Sequence, residues 1–324
     1  DEIGADALRF ALVNGAAPGA DFRPTPSRLD GARNFANKLW NAARFVIGAK
    51  PDELPDGMAL SLPDKERLGP AEHWILSRCH AACRDADEAY ANYQFAEATR
   101  ILHAATWSEY CDWYLELAKV RLRPEVDPAT RAATWQVLAW VLDRYLRMLH
   151  PVMPHITEEI WDRLPHRPDD GDLLITAAWP VDANLKSEAD EEQATAVADI
   201  LELVSQMRNA RADAGIEPAP WLEAELRFEA SGHAEVFEGI ADAVSRLARV
   251  RPTVVPSGSE AEDAAALVVV SPGAAARLSV SAADRERDRA RLEKELAETE
   301  KMLAATQAKL ANDGFVSKAP AQVV

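Results

Sequence analysis

The stretch Arg33-Asn34-Phe35-Ala36-Asn37-Lys38-Leu39-Trp40-Asn41-Ala42-Ala43-Arg44-Phe45-Val46 decides how this chain is read. Wound at 3.6 residues per turn, Leu29, Ala32, Ala36, Leu39, Ala43 and Val46 fall on one side, and Asn34, Lys38, Asn41 and Phe45 on another. The first set is a core stripe. The second is a polar surface with an aromatic ring off the main stripe. Asparagine can hydrogen-bond a base edge, lysine and arginine can meet phosphate, and an exposed ring stacks on an unpaired base for about 1–3 kcal/mol. A wide apolar stripe, in which Phe45 only broadens the core, fits the same pattern. Periodicity alone leaves both readings open.

Around this helix, expected over 27–47 with Ser27 as its cap, the chain reads as a bundle. Pro18, Gly19, Pro24 and Pro26 separate it from an opening helical run over 5–13, and 51–63 reads as a loop. Helical periodicity returns over 70–90, 95–121 and 129–149, with Pro124 and Pro128 between the last two. Trp107, Cys111, Tyr114 and Leu115 face other helices from the second of these. His150-Pro151-Val152-Met153-Pro154 breaks the third, Thr157 lies near the start of a short helix, and Trp161, Leu164 and Trp179 are expected to seal one end of the bundle.

A long linker helix is expected over 188–214, with Ile200, Leu203, Val204 and Met207 on its apolar side. Beyond Gly215 the pattern changes. Residues 222–228 alternate as a strand, 234–247 is helical, and 266–270 and 277–280 suggest further strands, with Pro252, Pro256, Gly258 and Pro272-Gly273 marking turns. From Asp284 onward Leu292, Leu296, Thr299, Leu303, Thr306 and Leu310 alternate four and three apart, the spacing of a coiled-coil seam, until Asn312-Asp313-Gly314 stops it. Two threonines weaken the seam, and a solvated single helix fits it too; a lone helix with regular leucines otherwise calls for a partner, a second arm beyond Val324 or another copy of the chain. The fold class is therefore mainly α: a helical bundle over 1–184, a linker helix with a small α+β domain over 185–282, and a partial C-terminal coiled coil over 283–324.

Composition narrows the function. The chain has 324 residues, 48% of them hydrophobic, enough for one large core or two to three domains. It has no run of about 18 apolar residues. A net charge of −17 and a pI near 4.9 disfavour diffuse binding to polyanions. Locally the balance reverses: 22–50 carries Arg23, Arg28, Arg33, Lys38, Arg44 and Lys50 against Asp30 alone. Contact with nucleic acid is expected to be focused there.

Chemistry of other kinds leaves little trace. The sequence contains no Gly-rich phosphate loop after a strand, nucleophile elbow or His-Glu-x-x-His motif. Cys79 and Cys83 with His80 between them lack a second ligand pair, so the three cysteines, including Cys111, read as buried thiols. His150, His155 and His166 share no ligand face, and no metal site is expected. The pairs Glu158-Glu159 and Asp169-Asp170 are adjacent in sequence, which does not set two acids across a substrate bond. They read as loop solubilisers and a helix-start charge. The chain reads as a recognition element for chemistry located elsewhere.

The motifs Gly4-Ala5-Asp6-Ala7-Leu8-Arg9-Phe10, Arg33-Asn34-Phe35-Ala36-Asn37-Lys38-Leu39-Trp40-Asn41, Cys111-Asp112-Trp113-Tyr114-Leu115-Glu116, His150-Pro151-Val152-Met153-Pro154-His155-Ile156-Thr157-Glu158-Glu159-Ile160-Trp161 and Met207-Arg208-Asn209-Ala210-Arg211 together resemble the C-terminal part of bacterial valyl-tRNA synthetases, which are class I enzymes. Several also occur in the isoleucine and leucine enzymes. The segment Arg291-Leu292-Glu293-Lys294-Glu295-Leu296, with Leu310-Ala311-Asn312-Asp313-Gly314-Phe315-Val316-Ser317-Lys318-Ala319-Pro320, favours the valyl family.

The resemblance implies an α-helical anticodon-binding domain and a coiled-coil arm reaching the outer corner of tRNA(Val). Carried onto this sequence, Arg23 and Phe45 match anticodon contacts, with Arg28, Asn34, Lys38 and Asn41 as neighbours from the helix face. Ser27 stands where some relatives have arginine, and Arg28 can supply the displaced charge. Arg291, Lys294, Lys301 and Lys309 are the candidate elbow contacts, though they also suit coiled-coil salt bridges. The complete enzyme is expected to be cytoplasmic and monomeric, to join valine to tRNA with ATP and Mg2+, and to hydrolyse mischarged threonyl-tRNA, because binding alone separates threonine from valine poorly. The signature motifs of catalysis are absent from this sequence, so no catalytic residue and no cofactor is expected within it. A freestanding tRNA-binding accessory protein, or a helical oligomerisation module built on the leucine seam, are the other function classes.

Overall fold

Two helices open the chain, α1 (Ala5–Asn14) and α2 (Pro26–Gly48). The computed structural model describes residues 3–15, 25–167, 169–180, 189–256 and 266–311, apart from the side chain of Lys309. Arg23 therefore lies outside the described residues, as do Pro18, Gly19, Pro24 and Gly258. Thr25, and not Ser27, caps α2: its hydroxyl accepts from the Arg28 amide at 3.4 Å, and Pro26 takes the first helical position. That position suits proline, because its missing N–H has no helical partner there anyway.

The buried stripe of α2 is Ala32, Phe35, Leu39, Ala42, Ala43 and Val46. It is turned toward Phe35 relative to the expected stripe, leaving Leu29 and Ala36 half-buried. The cause is aromatic packing. The Phe35 ring centroid lies 4.7 Å from both Phe10 of α1 and His103.

The bundle continues with α3 (Pro70–Ala91) and a rod over 95–121 made of α4 (Phe95–Ala104), a π-helical stretch (Ala105–Tyr114) and α5 (Leu115–Arg121). It closes with α6 (Pro128–Leu149) and α7 (Pro154–Trp161). Every residue of α6 over 137–149 is buried, the mark of a helix surrounded on all sides. Glu72, fully buried, ties three helices: it accepts from the Gly69 amide at 3.0 Å, from Thr134 at 2.9 Å, and pairs with Arg121 at 3.2 Å.

At the far end Trp161 and Leu164 are buried as expected, but Trp179 stays partly exposed, donating its indole N–H to Asp87 at 2.8 Å. Thr157 is not at the start of α7, which Pro154 opens; its hydroxyl donates back to the Met153 carbonyl at 2.8 Å. Nor is Asp170 a loop solubiliser: it is the buried partner of Arg147.

Helix α8 (Glu191–Asp213), capped by Asp190, leads into β1 (Leu222–Phe228), α9 (His233–Ala248), β2 (Val250–Val254), β3 (Leu267–Ser271) and β4 (Ala274–Leu278). The sheet order is β2-β1-β4-β3, with β1 and β2 parallel and the other pairs antiparallel. Pro252 marks no turn; it sits within β2, opposite Ala224. This works because β2 is an edge strand, where a missing N–H faces no partner strand. The Pro272-Gly273 turn joins β3 to β4, with Gly273 at φ +66°, so β4 begins earlier than the 277–280 pattern suggests.

Last comes α10 (Ala282–Leu310), joined to the end of α8 by Arg291, whose guanidinium donates to the Asp213 carbonyl. Its leucines are exposed, Leu296 by 59% and Leu303 by 57%. Among the described residues no helix is long and apolar enough to cross a membrane.

Candidate nucleic-acid interface

The candidate face forms where α2 runs beside the π-helical stretch. Asn34 and Asn41 are exposed on α2, while Lys38 and Phe45 sit at its edge, half-buried. Lys38 is held in two ways: its ammonium pairs with Asp112 and lies 4.3 Å above the Trp107 ring. Trp107 stacks in turn on His103, with centroids 5.6 Å apart. One turn beyond Asn41, Phe45 packs partly on the core, and the Lys119 ammonium lies 5.5 Å from its ring centre.

Arg28 and Asn34 share a cavity of about 390 Å3 between α1 and α2, lined also by Phe10, Asn14, His103 and Trp107. Burial and the charge of Lys38 both lower the pKa of His103, favouring the neutral ring. A neutral imidazole, an indole and two amides make a slot suited to a planar, hydrogen-bonding ring. Phe45 lies outside this cavity.

The cationic surplus read over 22–50 is partly spent within the fold. Arg33 pairs with Asp30 at 2.9 Å and Lys50 with Asp56 at 2.7 Å, whereas Arg44 is exposed with no described carboxylate on it. Trp107 and Lys119 belong to this face although their own helix gave no sign of it. Their placement depends on α2 lying alongside, which no local pattern encodes.

The arm candidates are apart from this face. Arg291 pairs with Asp288 at 2.6 Å and Glu295 at 2.9 Å, whereas Lys294 and Lys301 are exposed along α10. The side chain of Lys309 lies outside the described residues.

Other candidate chemistry is absorbed by packing. All three thiols are buried, Cys111 with its pKa pushed up to about 12 by burial. His150 shares a hydrogen bond with Thr157 at 2.8 Å, and His166 stacks on Trp161 at 3.7 Å.

Two family models match parts of the chain, neither of them including α2. Residues 72–226 match the anticodon-binding domain of tRNA ligases, and 284–324 match the tRNA-binding arm of valyl-tRNA synthetases. The chain is 38% identical to the valine–tRNA ligase of Corynebacterium efficiens over 100% of its own length and 34% of the relative's. It is 39% identical to that of Carboxydothermus hydrogenoformans (99% and 35%) and 35% identical to that of Bacillus subtilis (100% and 36%). It thus spans about a third of the length of the curated relatives it matches.

Proposed function

Because the chain belongs to the valyl-tRNA synthetase family and matches the carboxy-terminal region of its members, we propose that it is the tRNA-recognition part of a valine–tRNA ligase. The bundle over 1–184 binds the anticodon end of tRNA(Val), the arm over 283–324 reaches toward its outer corner, and 185–282 spaces the two. Valine activation with ATP and Mg2+, transfer to the tRNA 3′ end and hydrolysis of threonyl-tRNA belong to other parts of the complete, monomeric, cytoplasmic enzyme. No residue of this chain is assigned to them.

The observation that carries the reading is the face itself. A ring at Phe45, a Trp107–His103 slot with Asn34 and Arg28, and unspent charge at Arg44 lie along one helix of a strongly acidic chain. An unpaired anticodon base stacks at this face, and the flanking cations hold its backbone. Arg23 is assigned as a further anticodon contact on the family pattern alone.

The test is tRNA(Val) binding by Phe45→Ala and Arg23→Ala, with folding checked by circular dichroism. Loss of a direct stacking contact costs about 1–3 kcal/mol. Unchanged affinity in both variants would remove these assignments. A tRNA with a swapped anticodon should bind more weakly; equal binding points instead to an accessory binder that does not read the anticodon.

A further inference from the structure

Four arginines converge where α8 meets the end of α9, and none forms an ion pair with a described carboxylate. Arg211 is buried and its guanidinium is held by main-chain oxygens: Ala248 and Arg249 at 2.9 Å, Glu217 at 3.0 Å and Pro220 at 2.7 Å. Arg208 donates to the Leu247 carbonyl at 2.8 Å and lies 4.9 Å from the centre of the Trp113 ring. Arg249, in the left-handed region at φ 55°, lies 5.5 Å from the centre of Trp221, and Arg246 is exposed beside it. The four line one cavity of about 620 Å3 with Ile216 and Leu247, and among the described residues no acidic side chain lines it.

Carbonyl dipoles orient a buried guanidinium but do not cancel its charge. Burial and the charge of Arg249 both lower the pKa of Arg211, so the uncancelled charge is costly. At Arg208 burial is partly offset by Asp112 and Glu116, which line the neighbouring cavity with Arg208 and Arg246. In a chain of net charge −17, a pocket with four cations and no acid among its described lining residues has the character of an anion site.

The site is also continuous with the candidate interface. Lys119, which faces Phe45 and pairs with Glu116 at 2.5 Å, lines a second cavity of about 480 Å3 with Trp113, Asp112, Glu116, Arg208 and Arg246, the last two shared with the arginine pocket. Arg291, at the base of the arm, bonds the Asp213 carbonyl two residues past Arg211 on the same helix. A track of cations and indoles, with Asp112 and Glu116 set along its first part, therefore leads from α2 toward α10.

We propose that the pocket of Arg208, Arg211, Arg246 and Arg249 holds backbone phosphate of the RNA bound at α2, as a second, sequence-independent contact between the anticodon face and the arm. The inference rests on the tRNA-recognition reading. RNA is the occupant because indoles flank the cations and because the track begins at the base-stacking face.

The test measures tRNA binding by the 324-residue chain across a salt series for Arg246→Ala/Arg249→Ala, with Arg84→Ala/Arg100→Ala as a control of equal charge change elsewhere. Both test positions are exposed, and because Arg249 also packs over Trp221, folding is checked by circular dichroism. The double variant should lose about tenfold in affinity at low salt, and its slope of log affinity against log salt should be shallower by about 2, by the same amount for a swapped anticodon. The control should keep its slope.

An unchanged slope alongside weakened binding by Phe45→Ala would overturn this inference and leave the recognition reading standing. The same unchanged slope, with inorganic phosphate binding that the arginine substitutions abolish, would assign the pocket to free phosphate and overturn it too. No tRNA binding by the unsubstituted chain would remove both.

Discussion

Asp143 takes the Nε of Arg147 on both of its oxygens, at 2.9 and 3.0 Å, one turn away within α6. The far side of the same guanidinium grips Asp170 at 2.6 and 2.9 Å, and Trp161 donates its indole N–H to Asp143 at 2.8 Å. One cation thus satisfies two carboxylates and ties the closing loop to the centre of the bundle. Burial works against its charge, but Asp170 and Asp143 more than offset that and raise its pKa.

Replacing Arg147 with Met leaves both carboxylates short of their partner in a buried setting. Removing one member of a buried ion pair costs about 3–5 kcal/mol. Urea unfolding followed by tryptophan fluorescence should show a loss of that size, and a loss below about 1 kcal/mol would contradict the assigned network.

Stability should fall as the pH drops from neutrality through the region of 6.5, the ordinary histidine value. His103 and His150 both have pKa values lowered in the fold, chiefly by burial, so the unfolded chain binds protons first and gains from acid. The loss begins near the unfolded value and levels off below the folded ones. His103→Gln should flatten the dependence of the melting temperature on pH between about 7.5 and 5; an unaltered profile would mean that His103 does not contribute.

Lys38→Met should weaken tRNA binding more than it weakens the fold. The substitution removes the ammonium from Trp107 and leaves Asp112 without its pair beside the candidate face. A half-exposed pair with a cation–π contact contributes only about 1 kcal/mol to folding. A fluorescence titration with tRNA, set beside a thermal melt, separates the two effects; equal tRNA affinity would place Lys38 outside the interface.

Leu296→Gln with Leu303→Gln should change the stability of the bundle by less than about 0.5 kcal/mol, since both side chains are exposed. A larger drop in the unfolding midpoint would mean that the seam is already covered in solution.

The bundle helices were legible because apolar periodicity and proline punctuation agree: proline stands at the first position of α2, α3, α6 and α7. Strand β2 was hidden by Pro252, which locally reads as a turn and is tolerated only because its strand lies at the sheet edge. The Arg147–Asp170 pair was invisible since its partners are 23 residues apart, and Asp169-Asp170 resembles any acidic loop. At the candidate face, the polar positions of α2 followed from helical geometry. Trp107 and Lys119 did not, because they reach it only through the packing of one helix along another. The carbonyl-held Arg211 gave no local sign of burial either.

The π-helical stretch between α4 and α5 carries one more consequence. Hydrogen bonds running from each residue to the fifth along widen the coil, so side chains beyond Tyr114 are rephased relative to those before Ala105. The rod is continuous as a beam yet clocked differently at its two ends, with His103 wedged beside Phe35 on one and Lys119 swung over Phe45 on the other. A one-residue deletion inside this stretch would be absorbed by a return to tighter winding, and Lys119 would then point to another quarter of the molecule without any helix being broken.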